Sequence, residues 1–77
     1  MLLNRQEDSI LRLRDVMDIT RHSRSQIYAL MSQGRFPKQA RHGRRGACWS
    51  RLAVMRYVSI ILAGGEYSAT EHPETDA

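Results

Sequence analysis

The chain has 77 residues, a single cysteine and a formal net charge of +4. That length supports one small domain and no second core. Cys48 alone excludes an intrachain disulfide, and the longest apolar-leaning run, "YVSIILAGG", is too short to span a bilayer. The opening "MLLNRQED" turns charged after three apolar residues and does not read as a signal peptide. A cytoplasmic protein with no membrane partner is therefore expected. Chains this small bury only roughly 60% of the surface they expose when unfolded, so a bound partner would add useful stability.

The charge is unevenly spread. Between Ile10 and Leu62, eleven Lys or Arg meet only Asp15 and Asp18, a local balance of +9, while Glu66, Glu71, Glu74 and Asp76 follow. Lys38 is the one base that is not Arg. Arg offers a rigid fork of donors suited to phosphates and base edges, where Lys acts as a point charge. A basic body with acidic ends suggests a polyanion, above all a nucleic acid.

Taken in chain order, residues 1–9 read as a flexible arm. "LRLRDVMDIT", Leu11 to Thr20, has helical spacing, with Asp15 complementing the helix dipole but no clean N-cap before it. "RHS" breaks the pattern. Ser23 with Gln26 three residues on fits a capping box opening a second helix, in which Ile27, Leu30 and Met31 form the inward stripe. Gly34 ends that helix and Pro37 prevents its resumption. The opposite face carries Ser25, Ala29 and Ser32, with Tyr28 and Gln33 on its flanks, and has nothing obvious to bury it.

From Lys38 the period changes. Two short arms, Lys38–His42 and Ala47–Trp49, flank "GRRG" and read as a β-hairpin with Arg44 and Arg45 at its tip. Ser50 is a candidate N-cap for a third helix from Arg51 to about Leu62. Its apolar residues exceed what one face can hide, so Met55, Ile61 and Leu62 are candidates for self-association. Residues 63–77 read as a polar, acidic, disordered tail. The fold class expected for residues 10–62 is mostly α with a small β-hairpin, a winged helix-turn-helix whose second helix fits the DNA major groove.

Chemistry-bearing motifs are sparse. There is no phosphate-cradling Gly loop, nucleophile elbow or HExxH, and His22, His42, His72 and Cys48 lack zinc-site spacing. Asp15 and Asp18, three apart on one helix face, read as dipole complement. The expectation is no enzyme, no cofactor and no metal.

The stretch Ile10 through Val58, and "SRSQIYALMSQGRFPK" in particular, resembles the AlpA-type phage and prophage regulators within the MerR/excisionase-like winged helix-turn-helix group. Those proteins show an "LRL-x-x-V" opening, an "SRSTIY-x-LM-x-x-G-x-FP" recognition segment and a Trp after a basic hairpin. The resemblance implies a sequence-specific regulator of a mobile element that binds double-stranded DNA. Its roles would be control of transcription, for example of an integrase gene, or direction of excision.

Arg24, Ser25, Gln26 and Tyr28 fall on recognition-helix positions, and Ser32 continues their face. Arg41, Arg44 and Arg45 fall on the wing, while Phe36, Pro37 and Trp49 match positions that brace it. Binding as a homodimer or head to tail along DNA would extend the site read, with an integrase or RNA polymerase as a further contact. One departure is notable. The family carries Gly and then an aliphatic in the turn, where this chain has Arg21 and His22, so the turn should be strained or His22 should expose an edge. The rival from another class is a protein-interaction adaptor, with the winged helix docking an integrase, a polymerase or a host factor. Structured RNA lacks support because the aromatic residues form no stacking platform.

Overall fold

In the computed structural model the described residues are 8–41, 43 and 46–69. Six elements follow one another: β1 (Ile10–Leu11), α1 (Leu13–Thr20), α2 (Arg24–Ser32), β2 (Ala40–Arg41), β3 (Ala47–Ser50) and α3 (Arg51–Leu62). This is the mostly helical fold with a small antiparallel hairpin expected of a winged helix-turn-helix. The hairpin pairs Ala40 with Cys48 and Arg41 with Ala47.

One strand was not foreseen. Ile10 and Leu11 pair antiparallel with Ser50 and Trp49, making a three-stranded sheet in the order β1-β3-β2. Helix α1 consequently starts two residues later than its periodicity suggests. Arg12 is extended (φ −98°, ψ 169°), and its backbone N–H donates to the Asp15 carboxylate at 2.9 Å. Asp15 therefore closes the start of the helix that its charge also favours.

The turn between α1 and α2 carries the strain its composition implies. Arg21 sits at φ 63°, the sole non-glycine at positive φ among the described residues, and donates its N–H to the Met17 carbonyl at 2.8 Å. Thr20 holds the same corner: its hydroxyl donates to the Val16 carbonyl and accepts the His22 N–H. His22 does not leave a bare edge. It is half-buried, and its Nε2 lies 3.0 Å from the Tyr57 hydroxyl.

Both α2 and α3 end in Schellman motifs. After α2, Arg35 donates to the Leu30 carbonyl and Gly34 (φ 73°) to that of Met31. After α3, Gly65 donates to Ile60 and Gly64 (φ 89°) to Ile61. The second reversal brings the following residues back over the body. Tyr67 and Ala69 are buried in the core, and the Ala69 N–H donates to the Gly34 carbonyl at 2.8 Å. Of the residues expected to begin a disordered tail, 63–66 are exposed while Tyr67 and Ala69 are packed into the core, and residues 70–77 lie outside the described residues.

At the other end, Asp8 and Ser9 are tied to the start of α3 rather than forming part of a loose arm. The Asp8 carboxylate accepts from the Leu52 N–H (2.9 Å) and the Ser50 hydroxyl (2.5 Å), while the Ser9 carbonyl accepts from the Arg51 N–H. Partial burial alone would raise the Asp8 carboxyl. The hydrogen bonds from Ser50, Leu52, Ser9 and Arg51 outweigh it and hold the carboxyl below its ordinary value. A depressed carboxyl contributes stability above its unfolded pKa and loses it as the pH falls through the folded one.

Trp49, Phe36, Ile27, Val16 and Val54 are the largest fully buried side chains. Tyr57 joins them: its ring packs 4.6 Å from Phe36 and 5.6 Å from Tyr67. Burial raises the Tyr57 phenol above its usual pKa, against the opposing charge of Arg35, so it stays protonated for the contact with His22.

Two outcomes test this architecture. Arg21→Gly should stabilise the domain by about 0.5–1 kcal/mol by relieving the left-handed strain, net of the added chain entropy. Thermal melting should show a midpoint a few degrees higher. Tyr67→Ala should cost about 3 kcal/mol or more, the usual penalty for emptying a buried aromatic site. A loss of cooperative melting would show it, whereas an unchanged midpoint would place Tyr67 outside the core.

Candidate nucleic-acid interface

The turn and α2 determine which side chains can reach a ligand. Successive helical residues step by 100°, so burial of Ile27, with Leu30 and Met31 packed beside it, turns the opposite arc outward. On that arc Arg24, Ser25, Gln26, Tyr28, Ala29, Ser32 and Gln33 are all exposed. All five recognition-helix candidates are exposed: Ser25 and Ser32 lie at the centre of the outward arc, while Arg24 and Gln26, two residues apart, lie at its opposite edges. That surface bears a single charge, Arg24, and is otherwise hydroxyl and amide.

Within this face the side chains differ in freedom. The Ser23 hydroxyl accepts the Gln26 N–H at 3.1 Å, as a cap should. The reciprocal half of the expected capping box is missing, because the Gln26 carboxamide makes no hydrogen bond among the described residues. Gln26 thus keeps both its donor and its acceptor for a ligand. Ser32 is less available: its hydroxyl donates to the Ala29 carbonyl at 2.8 Å, leaving only its lone pairs.

Tyr28 sits at the edge of the arc. Its ring meets Trp49 edge-on at 6.5 Å and is 37% exposed, so the buried indole fixes how the phenol leans toward β3. The Trp49 Nε1 has no partner among the described residues.

Of the wing candidates, Arg41 is the β2 residue opposite Ala47. Arg44 and Arg45 lie outside the described residues. Phe36 and Pro37 are buried between α2 and β2, and Trp49 is buried on β3, so the hairpin is braced from both arms. Cys48 is a buried thiol beside Trp49 and behaves as a small hydrophobe.

The self-association candidates do not share one face. Ile61 follows buried Val54 by seven residues and buried Tyr57 by four, so it continues the core-facing side at the open end of α3. Met55 and Leu62 point the other way. Leu52, three residues before Met55, joins them, and these three are 39%, 81% and 42% exposed respectively. The spacing 52, 55, 62 carried that signal, but the density of apolar residues in the helix obscured it.

Among the described residues no group of three or more His, Cys, Asp or Glu side chains could hold a metal ion. No helix among the described residues is long and apolar enough to cross a membrane.

Because Ser23 caps α2 and Gln26 does not reciprocate, the two positions should separate in a stability measurement. Ser23→Ala should cost about 1 kcal/mol. Gln26→Ala should leave the chemical-denaturation midpoint within about 0.5 kcal/mol of the parent, as for surface sites without structural partners. Equal losses would mean that the capping box closes in solution.

The family described as Prophage CP4-57 regulatory protein (AlpA) matches residues 9–59, about two thirds of the chain. No curated protein and no solved structure matches. The matched span runs from β1 through most of α3 and includes the whole α2 face, and the chain belongs to the AlpA family of prophage regulatory proteins.

Proposed function

We propose, from membership of the AlpA family, that this protein is a sequence-specific double-stranded DNA-binding regulator. It would lay α2 in the major groove and the β2–β3 wing along the flank. The observation that carries the proposal is the exposed polar arc of α2 beside a hairpin braced by Phe36, Pro37 and Trp49. The helix is fixed from behind by Ile27 and from below by the Thr20–His22 corner, so its reading face is presented rigidly.

Roles divide by chemistry. Gln26, with its carboxamide free, suits the paired donor and acceptor that adenine presents in the major groove, and Ser25 adds a permissive hydroxyl. Arg24 and Tyr28, on the rim of the arc, are placed for phosphates. Arg41, Arg44 and Arg45 would clamp the backbone or enter an adjacent narrow minor groove. Such contacts position and bend DNA without any catalytic step, metal or cofactor. They serve promoter control, for example of an integrase gene, and excision equally well.

Finer roles follow from α3. The outward residues Leu52, Met55 and Leu62 offer an apolar stripe through which a second copy would pack, so that two α2 helices read half-sites about 10–10.5 bp apart or at multiples. The same stripe is where an adaptor would dock an integrase or polymerase. Binding that is insensitive to salt, together with stable capture of one of those proteins, would favour that alternative.

Footprinting on the DNA flanking the protein's own gene and any neighbouring integrase gene tests the proposal directly. Discrete protection is expected, at a promoter for transcription control or at an attachment site for excision. With about five to seven phosphate contacts, log K should fall against log salt with a slope of roughly −4.5 to −6. Ser25→Ala and Gln26→Ala should each relax discrimination at particular base pairs by about 1–3 kcal/mol. Arg44→Ala and Arg45→Ala should instead weaken all duplexes alike. Diffuse protection with a flat salt dependence would exclude sequence-specific DNA binding.

A further inference from the structure

Beside the recognition face lies an open groove of about 580 Å³ between the first turn of α1, α2 and β3. It is lined by Arg12, Leu13, Arg14, Asp15, Tyr28 and Ala47. Two arginines meet here from a segment whose functional role the sequence did not suggest, because "LRLRD" reads simply as the start of an amphipathic helix. Both are exposed, and among the described residues neither forms an ion pair. Asp15, the acid in the groove, already accepts the Arg12 backbone N–H. The groove keeps a net positive charge, with one neutral hydroxyl on its opposite wall.

Resting on the duplex-DNA function proposed above, we propose that this groove holds a backbone phosphate of the bound strand, gripped by Arg12 and Arg14 with Tyr28 donating from across the groove. The site fits a phosphodiester better than a base edge. Arg forks pair bidentately with phosphate oxygens. The guanine edge would match the same fork, but Arg12 and Arg14 stand at the start of α1, outside the helix proposed to enter the major groove.

Position fits as well. Tyr28 belongs both to the groove and to the rim of the α2 arc, and Trp49 holds its ring. A phosphate seated here would set how far α2 enters the major groove and in which register. Unlike the wing arginines, this clamp stands on the helix-turn-helix body itself, where Asp15 holds the first turn of α1.

The test is a salt titration of binding by fluorescence anisotropy, on a duplex selected by the protein from a random pool and on an unrelated duplex. Arg12→Ala and Arg14→Ala should each reduce the slope of log K against log salt by up to about 0.9, the value for one neutralised phosphate. Each should weaken both duplexes by a similar factor, up to about 8-fold near 0.1 M salt. Tyr28→Phe should weaken both by about 10-fold or more with the slope unchanged, as for one lost hydrogen bond to a charged acceptor. Replacing both arginines by Lys should retain most of the slope, separating charge from folding.

Unchanged slopes in both Ala variants would overturn the phosphate clamp while leaving DNA binding intact. So would losses confined to the selected duplex, which would mark a base contact. A parent protein whose binding ignores salt would instead overturn the DNA-binding function on which the clamp rests.

Discussion

The arrangement depends on one junction, the ring of Tyr57. From the middle of α3 it packs on Phe36, which follows α2, and on Tyr67, which follows α3, and its hydroxyl meets His22 in the turn. Three chain segments far apart in sequence converge on one side chain. Among the described residues the large, fully buried side chains are few, so each contact that relates α2 to α3 carries weight. Aromatic pairs at these separations add about 0.5–1.5 kcal/mol beyond simple burial. Rigidity of α2 thus originates behind it, in a cluster on the side away from its exposed arc.

The same junction accounts for the tolerance of Arg21. A non-glycine residue in the left-handed region costs roughly 1–2 kcal/mol, and a marginal domain has little to spare. The Thr20 hydroxyl, the Arg21 N–H and the His22 ring each make a hydrogen bond at that corner. Together they over-determine the turn, so the strained residue is held where glycine would sit unaided. His22, which replaces an aliphatic, retains its packing role by meeting Phe36 and Tyr57 edge-on.

Legibility in the sequence followed the range of the interactions. Local chemistry was readable: the Ser23 and Ser50 caps, the stripe of Ile27, Leu30 and Met31, and the stop at Gly34 with Phe36-Pro37 all appear in the fold. Non-local pairing was not. β1 is two residues long and exists only because β3 offers Trp49 and Ser50 as partners. Tyr67 sits in a polar, acidic stretch with no period of its own, and its burial requires the reversal at Gly64. Arg12 and Arg14 belong to a helix start in sequence and to a groove only once Tyr28 and Ala47 are brought opposite them. The α2 face was legible because a helix displays its own periodicity, whereas a groove needs two elements.

The distribution of charge over the surface has a consequence for how such a protein would discriminate. The arc of α2 is nearly neutral, with the hydroxyls of Ser25 and Ser32 at its centre, the amides of Gln26 and Gln33 toward one edge and Arg24 at the other. Arg12 and Arg14 stand in the groove beside that arc, and the hairpin sequence supplies Arg41, Arg44 and Arg45. On the proposed function, phosphate contacts would then supply affinity that is blind to sequence, while neutral groups on the helix would supply the difference between sequences. A strongly basic reading face would mix the two, gripping every duplex and blurring the penalty for a wrong base pair. Separation also serves folding. A ligand that binds only the native chain stabilises it by RT ln(1 + [L]/Kd), about 2.7 kcal/mol when ligand exceeds Kd a hundredfold. For a domain whose core rests on one aromatic junction, that increment is a substantial fraction of the total. Flanking arginines that attract any duplex would therefore hold the fold together during the search, before the correct site is found.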